Sequence, residues 1–147
     1  MAQWFECKVR YDKTMEDGLI KKVTETYLVD ALTFTEAERR FLEEMEPFMS
    51  GEYEVAGIKK MKLAELFESN DANDDRWYKS KVAFITLDEK TAVEKRTSVT
   101  MLVQAHDLKT AVQKLENGLK GTMGDYEMTN IAETPIIDIY HYEKKED

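Results

Sequence analysis

The side chains best suited to chemistry in this chain are two histidines, one cysteine and a crowd of carboxylates. The segment "DANDDR", residues 71–76, places Asp71, Asn73 and Asp75 at the first, third and fifth positions of a calcium loop. The pattern stops there. The sixth position needs Gly and holds Arg76, and the twelfth needs Glu and holds Val82. The stretch therefore reads as a solvated linker. His106 and His141 form neither a His-x-x-x-His pair nor a His-Glu-x-x-His motif, so no zinc spacing is present. His106 reads as a helix-start residue ahead of a capping Asp107, and His141 as part of a terminal strand.

Nucleophilic chemistry fares no better. The single cysteine excludes an internal disulfide and a cysteine-rich zinc site. Cys7 falls on the apolar side of a strand, where a thiol is an inert core group. There is no Gly-x-Ser-x-Gly elbow. "GTMG", residues 121–124, lacks the Lys and the spacing of a phosphate loop. Thirty acidic residues offer many carboxylate pairs, but none stands out as an acid–base couple. The expectation is no catalytic, cofactor or metal residue.

Charge narrows the class further. The net charge is −9, with −6 in residues 1–73 and −3 in residues 74–147, so neither half is a basic module. Nucleic-acid binders draw affinity from phosphate neutralisation and are usually basic. The densest basic patch is "IKKMK", residues 58–62; "EEME" (43–46) and "NDANDD" form acidic poles. Nucleic acid is thus disfavoured as a partner. No run approaches the roughly 20 apolar residues of a membrane helix, and "MAQWFECKVRYDK" has no signal-peptide core. A cytoplasmic location is expected.

These groups must be positioned by elements, and the elements occur twice. "WFECKV" at 4–9 is answered by "WYKSKV" at 77–82, an offset of 73. "YLVDA" (27–31) faces "MLVQA" (101–105) at 74, and "YEVAGI" (53–58) faces "YEMTNI" (126–131) at 73. "LAELF" (63–67) matches "IIDIY" (136–140) in apolar pattern. In the first half Phe5, Cys7, Val9 and Tyr11 alternate onto one strand face. "DKTMEDG" supplies a hairpin turn, and "KKVTETYLVDA" a second strand.

A helix follows, with a capping box from Thr33 and Glu36 or from Thr35 and Glu38. Its apolar stripe is Ala37, Phe41, Met45 and Phe48, with Pro47 ending or kinking it. Residues 53–67 read as extended, kinked near Gly57. The second half repeats the order: Asp107 caps a helix with stripe Ala111, Leu115 and Leu119, and Gly118 and Gly121 stop it. "EKKED" at the end reads as a frayed terminus.

The predicted fold is α+β. It is an internally duplicated β-β-α-β(β) unit with pseudo-twofold symmetry, mainly antiparallel sheets and one helix per repeat. Residues 1–147 are expected to form a single compact domain of two repeats, about 3–68 and 76–142, joined by a polar linker over 69–75.

One detail of the strands bears on partners. Alternation puts Trp4 on a face with Glu6, Lys8 and Arg10, and Trp77 with Lys79 and Lys81. Either each ring covers a sheet end beneath lysine stems, or Trp4, Trp77, Lys8 and Lys81 form an aromatic–cation surface for a partner.

The whole chain also resembles a family of small proteins of unknown function from Bacteroides-type bacteria. The likeness rests on "WFECKVRYDKT", "KKVTETYLVDALTFTEAE", "NDDRWYKSKVAFITLDEK", "GTMGDYE" and "ETPIIDIY". It implies a small cytoplasmic bacterial protein and carries over no functional residue. The leading expectation is a non-enzymatic binding or assembly module working through protein contacts, including a homo-oligomer. A nucleic-acid accessory protein, by basic contact or acidic mimicry, and a small enzyme with a carboxylate site are the alternatives.

Overall fold

A computed structural model describes residues 3–122 and 124–141. The chain is α+β, mostly strand, and divides into two compact units. One unit is built from the chain up to Lys62 together with the stretch from Pro135 onward; the other is Leu63–Thr134. The "EKKED" tail and the last residue of the second expected repeat lie outside the described residues.

In the first unit, β1 (Gln3–Thr14) and β2 (Ile20–Ala31) form a long antiparallel hairpin. The ladder runs to Thr14↔Ile20, so the turn is confined to residues 15–19 rather than the expected 12–18. Gly18 supplies the positive φ of 82° that closes it. β3 (Tyr53–Met61) pairs antiparallel with the other side of β1. β8 (Ile136–Tyr140) pairs parallel with β2, giving the order β3-β1-β2-β8. The sheet is therefore mixed.

Helix α1 (Phe34–Met45) starts at Thr33, whose side chain accepts from the Glu36 amide at 3.1 Å. Glu36 reaches back to the Leu32 amide at 3.4 Å. Of the two capping boxes the sequence allowed, this one forms. Ala37, Phe41 and Met45 pack on Phe5, Cys7, Val9, Tyr27 and Val29, all buried. Phe48 was expected to extend this stripe, yet it is 71% exposed. Pro47 ends the α-helix and the chain tightens into a 3-10 turn over Glu46–Phe48, which carries Phe48 off the buried face.

In the second unit, β5 (Arg76–Leu87) and β6 (Glu94–Ala105) make the hairpin. β7 (Asp125–Glu133) pairs antiparallel with β5, and β4 (Glu65–Phe67) pairs parallel with β6. The order is β4-β6-β5-β7. Helix α2 (Leu108–Gly118) is capped by Asp107, which accepts the Thr110 amide at 2.7 Å. Its buried Ala111 and Leu115, with Leu119, lie in the core with Val82, Met101 and Val103.

The expected continuous extension over 53–67 is broken. β3 ends at Met61, residues 62–64 are irregular, and β4 is a separate strand of another sheet. The expected irregularity near Gly57 is a bulge: Lys8 faces Gly57 while Val9 faces Val55, leaving Ala56 extra.

Candidate functional site

The sequence singled out Trp4, Trp77, Lys8 and Lys81, and the structure separates them by exposure. Lys8 and Lys81 are exposed, Trp4 is half-buried, and Trp77 is only 3% exposed. Trp77 does sit on the Lys79 and Lys81 side of β5, opposite Gln104, but its ring offers no surface. Trp4 lies opposite Asp30 and Met61 and meets the His141 ring edge-on, with centroids 5.1 Å apart. Lys8 stands opposite Gly57 at the bulge, 4.0 Å from Glu6.

β3 is the terminal strand of its sheet, and among the described residues no strand lies on its outer side. Beside it runs a groove of about 320 Å³, walled by Phe34, Thr35 and Glu38 of α1 and floored by Val55, Gly57 and Ile58 of β3. Phe34 opens the first turn of α1. One edge of it rests on Phe5, with centroids 4.9 Å apart, and it remains 55% exposed. Gly57 stands opposite Lys8, and a Cβ on it would meet nothing within 4 Å. An edge strand beside a helix, with a slot of mixed polarity between them, is the geometry that admits an added strand. The strand supplies backbone partners and the slot takes a side chain.

A larger cleft of about 460 Å³ opens at the far end of the same sheet, lined by Arg10, Tyr11, Lys22, Glu52 and Tyr53 among others. Arg10 donates to Glu54 at 3.2 Å, and Lys22 stands opposite Asp12 in the hairpin register.

The second unit holds a polar knot that the sequence did not announce. Asp74, expected in a solvated linker, has a side chain only 3% exposed. Its Oδ2 receives the Lys114 ammonium and the Ser69 hydroxyl, the latter at 2.5 Å. Its Oδ1 lies 2.9 Å from His106 Nδ1. Gln104 donates to the Asp74 carbonyl at 2.9 Å and accepts from the Ser69 amide at 2.9 Å.

Lys114, Ser69 and His106 together hold Asp74 well below the usual carboxylate range, against the opposite pull of burial. Asp74 in turn raises His106 above its ordinary value. His106 Nε2 lies 3.2 Å from the Thr110 hydroxyl, so both ring nitrogens have partners. This arrangement fastens the 69–75 loop to the start of α2. Its donors are spent within the network, on Asp74, Gln104 and Thr110, which is the signature of a structural anchor.

Elsewhere the polar groups are quiet. Burial pushes the Cys7 thiol up to about 12, so it is no nucleophile at neutral pH. Among the described residues, no cluster of three His, Cys, Asp or Glu side chains could hold a metal ion. Among them too, no helix is long and apolar enough to cross a membrane.

The chain matches a family described as a domain of unknown function, DUF4494, over residues 3–142, and it belongs to that family. No curated protein and no solved structure matches it.

Proposed function

We propose that this member of a family of unknown function is a non-enzymatic binding module. It acts by accepting an extended polypeptide segment along β3, with an apolar side chain of that segment seated in the α1–β3 groove. The observation that carries this reading is the groove itself: an edge strand, a half-exposed Phe34 and the Val55 and Ile58 side chains lie side by side. Trp4 and Lys8, on the neighbouring strand β1, border this edge. Trp77 is excluded from the surface by its burial.

The module is, on this proposal, an internal duplication with pseudo-twofold symmetry. Several correspondences support it. The bulge that follows Lys8 has its counterpart after Lys81, an offset of 73. The caps Thr33 and Asp107 differ by 74. Arg40 donates to the Asp30 carbonyl at 2.9 Å, and Lys114 to the Gln104 carbonyl at 3.2 Å, again 74 apart at each end.

A photo-crosslinking residue in place of the exposed Ala56 tests the reading, in the full chain at its natural concentration. An adduct to an extended polypeptide segment, absent from a control with the same residue at Asn70, is expected. A folded protein that yields no adduct from position 56 would overturn it.

A further inference from the structure

We infer that the segment received by β3 is the β3 of a second copy of this chain, antiparallel about a two-fold axis between Ala56 and Gly57; this rests on the strand-addition reading above. The bulge fixes the register. Val55 stands opposite Val9 and Ile58 opposite Cys7, so both lie on the helix-covered face although they are three residues apart. A second β3 laid antiparallel with its bulge opposite this one keeps the faces of the two strands matched on both sides. Val55 then faces Ile58 of the second copy, and Tyr53 faces its Lys60.

Charge is the argument for a second copy as the occupant. In that register Glu54 faces Lys59 of the second copy, and by symmetry Lys59 faces its Glu54. Both belong to the helix-free face, where Glu54 stands opposite Arg10 and Lys59 opposite Glu6. Opposite charges placed directly across a strand pair are favourable, and like charges are not. Glu54 already accepts Arg10 at 3.2 Å, but its side chain is 63% exposed and has room for a second cation.

β8 and β4 also end the sheets but are short, and the competing long edge is β7, which is bulged at the corresponding place. Two β7 strands in the same register would set Glu127 against Ala132 and Tyr126 against Glu133, with no opposite-charge contact. A β3 on a β7 would retain one such contact, Lys59 with Glu127, in place of two. It would also be head-to-tail, leaving a free edge at each end of a pair and building a ring or a filament in place of a dimer. Self-pairing of β3 closes a dimer.

Sedimentation of the full chain over a range of concentrations tests the inference. The expected result is a monomer–dimer equilibrium. Glu54→Lys alone and Lys59→Glu alone should each weaken it by about tenfold or more. Mixing the two single variants should restore it, because opposite charges then meet at both contacts. Unchanged near-ultraviolet dichroism in each variant shows that the fold is intact. A monomer at every concentration overturns the inference. So does a dimer indifferent to both reversals, or a species that keeps growing beyond two copies. The crosslink at position 56 separates the two levels. An adduct to a different protein leaves the strand-addition reading standing and removes the self-pairing; no adduct removes both.

Discussion

Asp74 shows what a single residue can hide. In the sequence it is one of four acidic or amide side chains in "DANDD", and such a run is normally solvated. In the fold its carboxylate is buried and receives Lys114, Ser69 and His106. These partners lie 40, 5 and 32 residues away, so no local pattern could announce them. Trp77 is similar: alternation placed it correctly on the polar side of β5, but alternation says nothing about what covers a face. Cys7 was legible, because its neighbours on the apolar face are local.

The Asp74 knot makes a pH prediction whose sign can be worked out. His106 titrates higher in the folded state than its ordinary 6.5, so its contribution is full below 6.5 and is lost as pH rises through the raised value. Asp74 titrates below its ordinary 3.8, so its contribution is full above 3.8 and is lost as pH falls through the lowered value. Both operate between these limits. Stability toward denaturant should therefore fall between pH 6 and pH 8, and His106→Gln should flatten that slope while leaving the acid limb in place. Urea midpoints at pH 2, 3, 5, 6 and 8 check this. An unchanged slope in His106→Gln would show that the ring does not carry the linkage.

At the scale of elements the sequence was informative wherever the determinants are local. The helices, their caps, their stripes and the hairpin strands all follow from spacing and side-chain type. The misplacement of Phe48 has a local cause too, in the tightening at Pro47. Gly118 is different. It was expected only to stop α2, yet it is also a contact: a Cβ there would come within 2.6 Å of the Phe67 ring.

That contact reverses an ordinary expectation. Gly→Ala at a helical position usually gains up to about 1 kcal/mol. Here the methyl must displace Phe67, a residue of β4 that packs beside Leu115 and Ala111. Forcing extra volume into a filled space typically costs about 1–3 kcal/mol. Gly118→Ala should therefore destabilise the protein on balance. Adding Phe67→Leu should recover part of the loss, so the two changes couple in a double-mutant cycle. Equilibrium unfolding of the four variants measures the coupling, and strict additivity would mean the ring swings aside at no cost.

The whole molecule departs from the sequence reading at one point of connectivity. The two halves look like consecutive repeats, each finishing with its own last strand. Instead β4, which follows β3, belongs to the sheet of β5 and β6, and β8 belongs to the sheet of β1 and β2. Pattern specifies that "ELF" and "IIDIY" are strands, but not which strand they lie beside. Both pairings are parallel, and a parallel partner must arrive through a long crossover. The exchange supplies one.

It follows that residues 3–68 lack a strand of the sheet they build. β8 brings Ile136 and Ile139, 4% and 9% exposed, alongside the Thr26–Val29 segment of β2. A fragment ending at residue 68 would lack this strand and leave the apolar end of β2 as an open edge, an arrangement prone to aggregate. Such a fragment should be unfolded or self-associated, and a peptide covering 135–142 supplied in trans should bind it and restore protection to the β2 amides in hydrogen exchange. A 1–68 fragment that folds as a monomer with protected β2 amides, indifferent to the peptide, would show that β8 contributes nothing the first hairpin needs.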